Sequence, residues 1–375
     1  MTSSLNQPVR LCAGRAGGPV TSPCAKVGTD IALYTIMKAA AWGAGREGYM
    51  ELIDGFGRRI NYLRLSVTDR CNLRCRYCMP AGGVAKLRHE DLLSYEELHR
   101  LARACVASGI EKIRITGGEP LVRKGLVGFL KRLSGIPGLK ELVLTTNGML
   151  LKNLALPLKK AGVARLNISL DSLEPENFAR ITRGGDLARV LDGIKAAEQA
   201  GFPPAKINMV VMRGVNDHEL LRFAELSIDK PYTIRFIEYM PTLQDQQWAA
   251  QSMPGSEILE RIAQRYRLLP LVGSETAGPA RNFRIEGAAG ALGIITPVSG
   301  HFCASCNRIR ASATGVVRGC LFSDQGADLR ALLAYGDSGL LRLTLRRMVA
   351  EKPGRHHLAE RNPLQGCLNM SRIGG

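Results

Sequence analysis

Three cysteines fall within eight residues in the stretch DRCNLRCRYCMP (69–80), spaced C-x3-C-x2-C at Cys71, Cys75 and Cys78. A closed structural zinc site takes four ligands, and a disulfide framework takes thiols in pairs. Three thiolates suit a different centre: a [4Fe–4S] cluster with three irons held by protein and the fourth open to another ligand. Zinc would need a fourth ligand, and none lies within ten residues; His89 is the nearest histidine.

A second trio, Cys303, Cys306 and Cys320, is spaced C-x2-C-x13-C in HFCASCNRIRASATGVVRGC. Alone, it reads as a zinc site with His301 as the fourth ligand. Beside the first trio, it reads as a second cluster with an open iron. The other cysteines lack cluster spacing: Cys105 reads as a small buried hydrophobe in a helix, while Cys12, Cys24 and Cys367 have no assigned role. His356-His357 reads as part of a solvated loop.

Two further features accompany the thiols. Gly117-Gly118 in ITGGEPL closes a strand and lets backbone approach a ligand closely. Arg64, Arg114, Lys206 and Arg235 each interrupt an otherwise apolar strand-like run, and a buried charge needs a partner. A triphosphate is a partner of the right kind. The formal net charge of +18 fits a polyanionic partner or a generally solvated basic surface. Its scatter, without one long basic tract, weighs against a nucleic-acid tail.

Elements must hold these groups in place. Six β-branched runs, at 62–68, 110–116, 139–146, 163–170, 205–212 and 232–239, alternate with helix-like segments, one opened by a capping box at Ser94 and Glu97. That rhythm predicts parallel βα units, as an open doubly wound sheet or a partial barrel. The runs show little polar–apolar alternation, which suits strands covered on both faces. The first cysteine loop follows the first strand, at the end where α/β folds place their sites. The rhythm breaks after about residue 245. We expect an extension at 1–49, a barrel at 50–245 and a C-terminal region at 246–375.

The extension holds five basic and two acidic residues and reads as sequence upstream of a start at Met50, with a mitochondrial presequence as the rival. No apolar run reaches 18 residues and the N-terminus has no secretory h-region, so a cytoplasmic protein with reduced thiols is expected.

The motifs LRLSVTDRCNLRCRYCMP, KIRITGGEPL, TTNG, NISLDS, RFIEYMP, CNRIR and the terminal Gly374-Gly375 resemble the radical S-adenosylmethionine enzymes, and among them the GTP 3′,8-cyclase family of molybdenum cofactor biosynthesis. The resemblance spans about residues 50–375. It implies a partial (βα)6 TIM-like barrel with two [4Fe–4S] clusters. The implied reaction is cyclisation of GTP to (8S)-3′,8-cyclo-7,8-dihydroguanosine 5′-triphosphate, begun by a 5′-deoxyadenosyl radical from S-adenosylmethionine. Contacts to that cofactor then fall on Tyr77, Gly118, Ser169 and Met240. Contacts to GTP fall on Arg64, Arg114, Thr145, Lys206 and Arg308-Ile309-Arg310, with Arg235 near the substrate. The second open iron would bind the guanine base, and the Gly374-Gly375 tail would reach the active site. Implied partners are an electron donor such as flavodoxin or ferredoxin, the downstream cyclic pyranopterin monophosphate synthase, and a second copy in a homodimer. The rivals are a radical enzyme with an auxiliary cluster acting on peptide or RNA, and a non-catalytic zinc-stabilised nucleic-acid binder.

Overall fold

The computed structural model describes residues 51–241, 248–272, 278–323, 325–356 and Met370. The extension and the terminal Gly374-Gly375 therefore lie outside the described residues. Each of the six β-branched runs forms a strand: β1 (Tyr62–Ser66), β2 (Lys112–Thr116), β3 (Glu141–Thr146), β4 (Arg165–Ser169), β5 (Lys206–Val211) and β6 (Thr233–Glu238). They pair in parallel, in sequence order.

Between them run α1 (Tyr95–Ala107), α2 (Leu126–Ser134), α3 (Leu151–Lys160), α4 (Pro175–Thr182), α5 (Leu187–Gln199) and α6 (Leu220–Asp229). The α1 start has the expected capping box: Ser94 Oγ accepts from the Glu97 amide, and the Glu97 carboxylate accepts from the Ser94 amide. The α4 helix is not apparent in the sequence periodicity. It opens on Pro175 at a position that needs no N–H donor, and buries only Asn177, Phe178, Ile181 and Thr182.

The strands do alternate, contrary to the sequence reading. Leu63, Leu65, Ile113, Ile115, Leu144, Ile168, Ile207, Met209, Ile234 and Phe236 are buried beneath the helices in one core. Their neighbours Arg64, Arg114, Thr145, Asn167, Lys206 and Arg235 point the other way and line an internal cavity. The polar positions hold the inside of a curved sheet, so only one face is packed by helices.

The break in rhythm at 245 does not end the sheet. After the short helix α7 (Trp248–Gln251) and α8 (Gly255–Ala263) come β7 (Leu268–Leu271), β8 (Arg281–Ile285) and β9 (Ala291–Ile295). The β9 strand pairs in parallel with β6, and β8 and β7 follow antiparallel. The chain then crosses to the opposite edge. There β10 (Arg308–Ala311) pairs in parallel with β1 and is followed by β11 (Val316–Arg318) and β12 (Ala327–Asp328). Helices α9 (Arg330–Tyr335) and α10 (Ser338–Ala350) complete the described fold. The result is one twelve-stranded sheet with C-terminal strands on both flanks of the original six. Among the described residues, no helix is long and apolar enough to cross a membrane.

Candidate active site

The inner sheet face encloses a cavity of about 560 Å³. Its two ends differ in charge. Arg310, Arg64 and Arg114 stand in register at inner positions of β10, β1 and β2. Lys112, Arg165, Lys206, Arg235 and Arg308 bring the lining to eight cationic side chains. The carboxylates that line the cavity, Glu119, Asp171 and Glu238, lie beyond the C-terminal halves of the strands or at their ends.

The basic end carries little internal compensation. Glu141 is shared between Lys112, at 2.8 Å, and Arg165. With its amide oxygen turned toward Arg114, Asn167 accepts from Arg114 Nη2 at 2.9 Å. The buried Nε atoms of Arg114 and Arg235, Thr145 Oγ1 and Asn208 Oδ1 have no hydrogen-bond partner. Burial first, and then the charge of Arg235 and its neighbours, lowers the Lys206 ammonium to about 7. Burial and Arg114 likewise bring Arg235 to about 10, and burial and Arg308 bring Arg310 to about 10. Three unpaired donors and eight cationic side chains around one cavity suit a ligand with several anionic oxygens.

At the other end lies the first cysteine loop. Cys71, Cys75 and Cys78 are free, half-buried thiols lining the cavity. The loop is fixed from two sides. The amides of Arg74 and Arg76 donate to the Thr182 and Ile181 carbonyls at the end of α4, at 3.0 and 2.9 Å. The Gly118 and Glu119 amides donate to Thr68 O and Arg70 O, at 2.7 and 2.8 Å. A Cβ on Gly118 would lie 2.5 Å from the Arg70 carbonyl oxygen, so this glycine permits contact with the cysteine loop itself.

The Leu73 amide donates to Cys71 Sγ at 3.4 Å, and the Asn147 side-chain Nδ2 donates to it at 3.9 Å. Burial pushes the Cys71 thiol up to about 11 and Cys78 to about 12, so metal binding there must displace protons. The Tyr77 hydroxyl donates to Asp171 Oδ2 at 2.8 Å, while Asp171 Oδ1 accepts from the Val210 amide at 2.8 Å. Burial raises Asp171 to about 6 and Glu119 to about 7. Glu119 accepts from Thr146 Oγ1, the Asn147 amide and the Leu121 amide.

The second trio flanks the same cavity from the C-terminal segment. Phe302 and Leu321, the chain neighbours of Cys303 and Cys320, line it. Cys320 and Met240 pack in one apolar group with Phe322 and Met370. Burial pushes the Cys306 thiol up, but the charges of Arg308 and Lys352 outweigh it and bring it down to about 7. His301, the zinc rival's fourth ligand, is exposed and its Nδ1 lies 3.1 Å from His356 Nε2. Neither trio brings its three sulfurs within 4.8 Å of one another.

Among the described residues, the tight group of metal-type ligands is Glu174, His218 and Glu219. Their hydrogen bonds are already committed to the fold. Glu219 accepts from Ser172 Oγ, the Leu173 amide and Asn177 Nδ2, while Glu174 pairs with Arg222 at 2.8 Å. None of the three lines the cavity.

Tyr77, Gly118, Ser169, Met240, Arg64, Arg114, Thr145, Lys206, Arg235, Arg308 and Arg310 thus converge on one space. Ile309 is different: its side chain is fully buried in the core on the other face of β10. Sequence reasoning missed Tyr62, Lys112, Arg165, Asn167 and Asn208, which line the same inner face. Continuing the two-residue alternation outward from Arg64, Arg114, Ser169 and Lys206 would have found them.

The cysteine loop after the first strand, above a parallel barrel, defines the class: this is a radical S-adenosylmethionine protein, and residues 65–227 match the model of the Radical SAM superfamily. The fold is shared with the peptide-bound structure of SuiB from Streptococcus suis, at a TM-score of 0.52 and 13% identity over 95% of this chain and 84% of that one. Residues 232–358 match Molybdenum Cofactor Synthesis C. A GTP 3′,8-cyclase from Geobacter sulfurreducens is 62% identical over 326 residues, covering 87% of this chain and all of the relative. Another from Moorella thermoacetica is 48% identical over 323 residues, covering 86% and 99%. The chain belongs to the GTP 3′,8-cyclase family.

Proposed function

We propose that this chain cyclises GTP to (8S)-3′,8-cyclo-7,8-dihydroguanosine 5′-triphosphate, an early step of molybdenum cofactor biosynthesis. The observation that carries the reading is the single cavity with unpaired cationic donors at one end and the three-cysteine loop at the other. The donor chemistry of that loop fits a [4Fe–4S] cluster with an open iron. Cys71, Cys75 and Cys78 would hold it, and it would supply the electron for reductive cleavage of S-adenosylmethionine, the source of the radical that begins the reaction at the ribose C3′.

The chain's own residues bind and orient. Asp171 holds the Tyr77 hydroxyl at 2.8 Å beside the thiols. Tyr77, Gly118, Ser169 and Met240 form the cofactor end. Arg64, Arg114, Lys206, Arg235, Arg308 and Arg310 receive the triphosphate end, and the Nε atoms of Arg114 and Arg235 provide unused donors. Thr145 offers a buried hydroxyl that has no protein partner. Ile309 supports the neighbouring arginines through its buried side chain. The second trio, Cys303, Cys306 and Cys320, would hold a second [4Fe–4S] cluster, which would offer a binding position for the guanine base. Fixing both ends of the nucleotide brings the ribose and purine carbons together, which is the proximity contribution to the rate.

In this reading the units are the extension 1–49, the barrel 50–245 and the C-terminal region 246–375, with Gly374-Gly375 entering the site. A flavodoxin or ferredoxin supplies electrons, cyclic pyranopterin monophosphate synthase takes the product, and the chain works as a cytoplasmic homodimer. The test mixes reduced protein, S-adenosylmethionine and GTP without oxygen. A GTP-dependent rise in 5′-deoxyadenosine, absent with other nucleotides, is expected; equal release with every nucleotide would sink the substrate assignment.

A further inference from the structure

The turn that closes α10 carries Lys352, whose amide donates back to the Val349 carbonyl at 3.0 Å. The residue is 3% exposed. An ammonium has three donors, and each finds an acceptor: Gly319 O at 2.5 Å, Arg308 O at 3.3 Å and Cys306 Sγ at 3.5 Å. Cys306 and Arg308 lie on the segment of the first two thiols of the second trio, and Gly319 immediately precedes the third, Cys320. A Cβ on Gly319 would sit 3.3 Å from both Cβ and Cγ of Lys352, so the glycine leaves room for the lysine stem.

Arg58 braces the same turn from the other side. It donates to Pro353 O at 2.7 Å, Gly354 O at 3.2 Å and Cys303 O at 2.5 Å, and its charge is met by Asp54 at 2.6 Å. Lys352 has no such carboxylate: it takes part in none of the ion pairs among the described residues. A buried ammonium is costly unless an anion lies beside it, and the group able to carry that charge here is Cys306.

We propose that Lys352 is the internal counter-charge and strut of the iron–sulfur cluster at Cys303, Cys306 and Cys320. The proposal rests on the reading that this trio holds such a cluster. Three thiolates on a doubly positive four-iron core leave one net negative charge, and uptake of one electron from a low-potential donor makes it two. A fixed cation favours the more negative state, so Lys352 raises the reduction potential of this cluster while tying its two cysteine segments together.

The test compares the full chain with Lys352→Met and Lys352→Arg after anaerobic reconstitution with iron and sulfide. Iron content is measured, and each cluster is titrated with dithionite by electron paramagnetic resonance. About eight irons in the wild type support the cluster reading, and about four would remove that reading and this proposal with it. Lys352→Met is expected to leave the first cluster's signal and potential unchanged. Its second cluster is expected to have a lowered midpoint or to lose its iron, with Lys352→Arg restoring it. Wild-type occupancy and potential of both clusters in Lys352→Met would overturn the proposal. If Lys352→Met does not fold, Lys352→Arg decides: a wild-type second cluster supports the role, and its loss with the first cluster intact overturns it.

Discussion

Arg235 is a guanidinium on β6 with a buried Nε that has no protein acceptor, and it gains a hydrogen bond only when a ligand arrives. A charge-assisted hydrogen bond contributes about 1.5–3 kcal/mol, so Arg235→Met should lower kcat/KM for GTP by roughly 10- to 100-fold. Steady-state kinetics check this, and the iron content should not change. Lys206 gives a pH signature. Its folded value of about 7 lies below the unfolded lysine value, so above pH 7 the unliganded protein leaves it largely neutral. An arriving triphosphate favours the charged form. GTP binding near pH 8 should therefore take up about one proton, and affinity should fall as pH rises from about 7 toward 10. Calorimetry in buffers of different ionisation enthalpy reads the uptake, and Lys206→Met should abolish it. At this scale the sequence was informative where a basic residue broke an apolar run. It was silent at Asn167 and Asn208, because a neutral amide inside a strand carries no comparable penalty until the fold shows which way it points.

Among the elements, the tight join is between the end of β2 and the first cysteine loop. Gly118→Ala would force a methyl to within 2.5 Å of Arg70 O, so the loop must move. We expect this variant to lose the first cluster, seen as a fall to roughly half the iron with the second cluster retained. Ser94→Ala is the contrasting case. Removing the cap on α1 should lower stability by about 1 kcal/mol and leave iron and turnover unchanged, as denaturant unfolding and activity would show. The six strands and the α1 cap could be read directly from sequence because each has a strong local cause. The α4 helix could not, since eight residues beginning at a proline give too few turns for a clear period. Yet its last carbonyls, at Ile181 and Thr182, hold the cysteine loop.

Across the whole molecule, a charge of +18 with eight cations in one cavity makes nucleotide capture an electrostatic event. Raising salt from about 0.05 to 0.5 M shortens the Debye length severalfold and should slow GTP association far more than dissociation. Stopped-flow binding separates the two rates. Salt-independent association would mean that the cavity charge does not steer the ligand. The sequence also gave no sign that the C-terminal segment divides between the two flanks of one sheet, because strand partners so far apart share no local pattern.

That division bears on how the chain comes off the ribosome. Asn61 beside β1 bonds to Asn307 beside β10, 246 residues later. At about 5–20 residues per second, the first edge of the barrel waits roughly 12–50 s for its covering strand. Meanwhile it presents unpaired backbone to every other nascent strand nearby. Chains stalled or cut within that interval should be held by chaperones or aggregate, and a pulse-labelled time course would show the soluble form appearing only once β10 has been made.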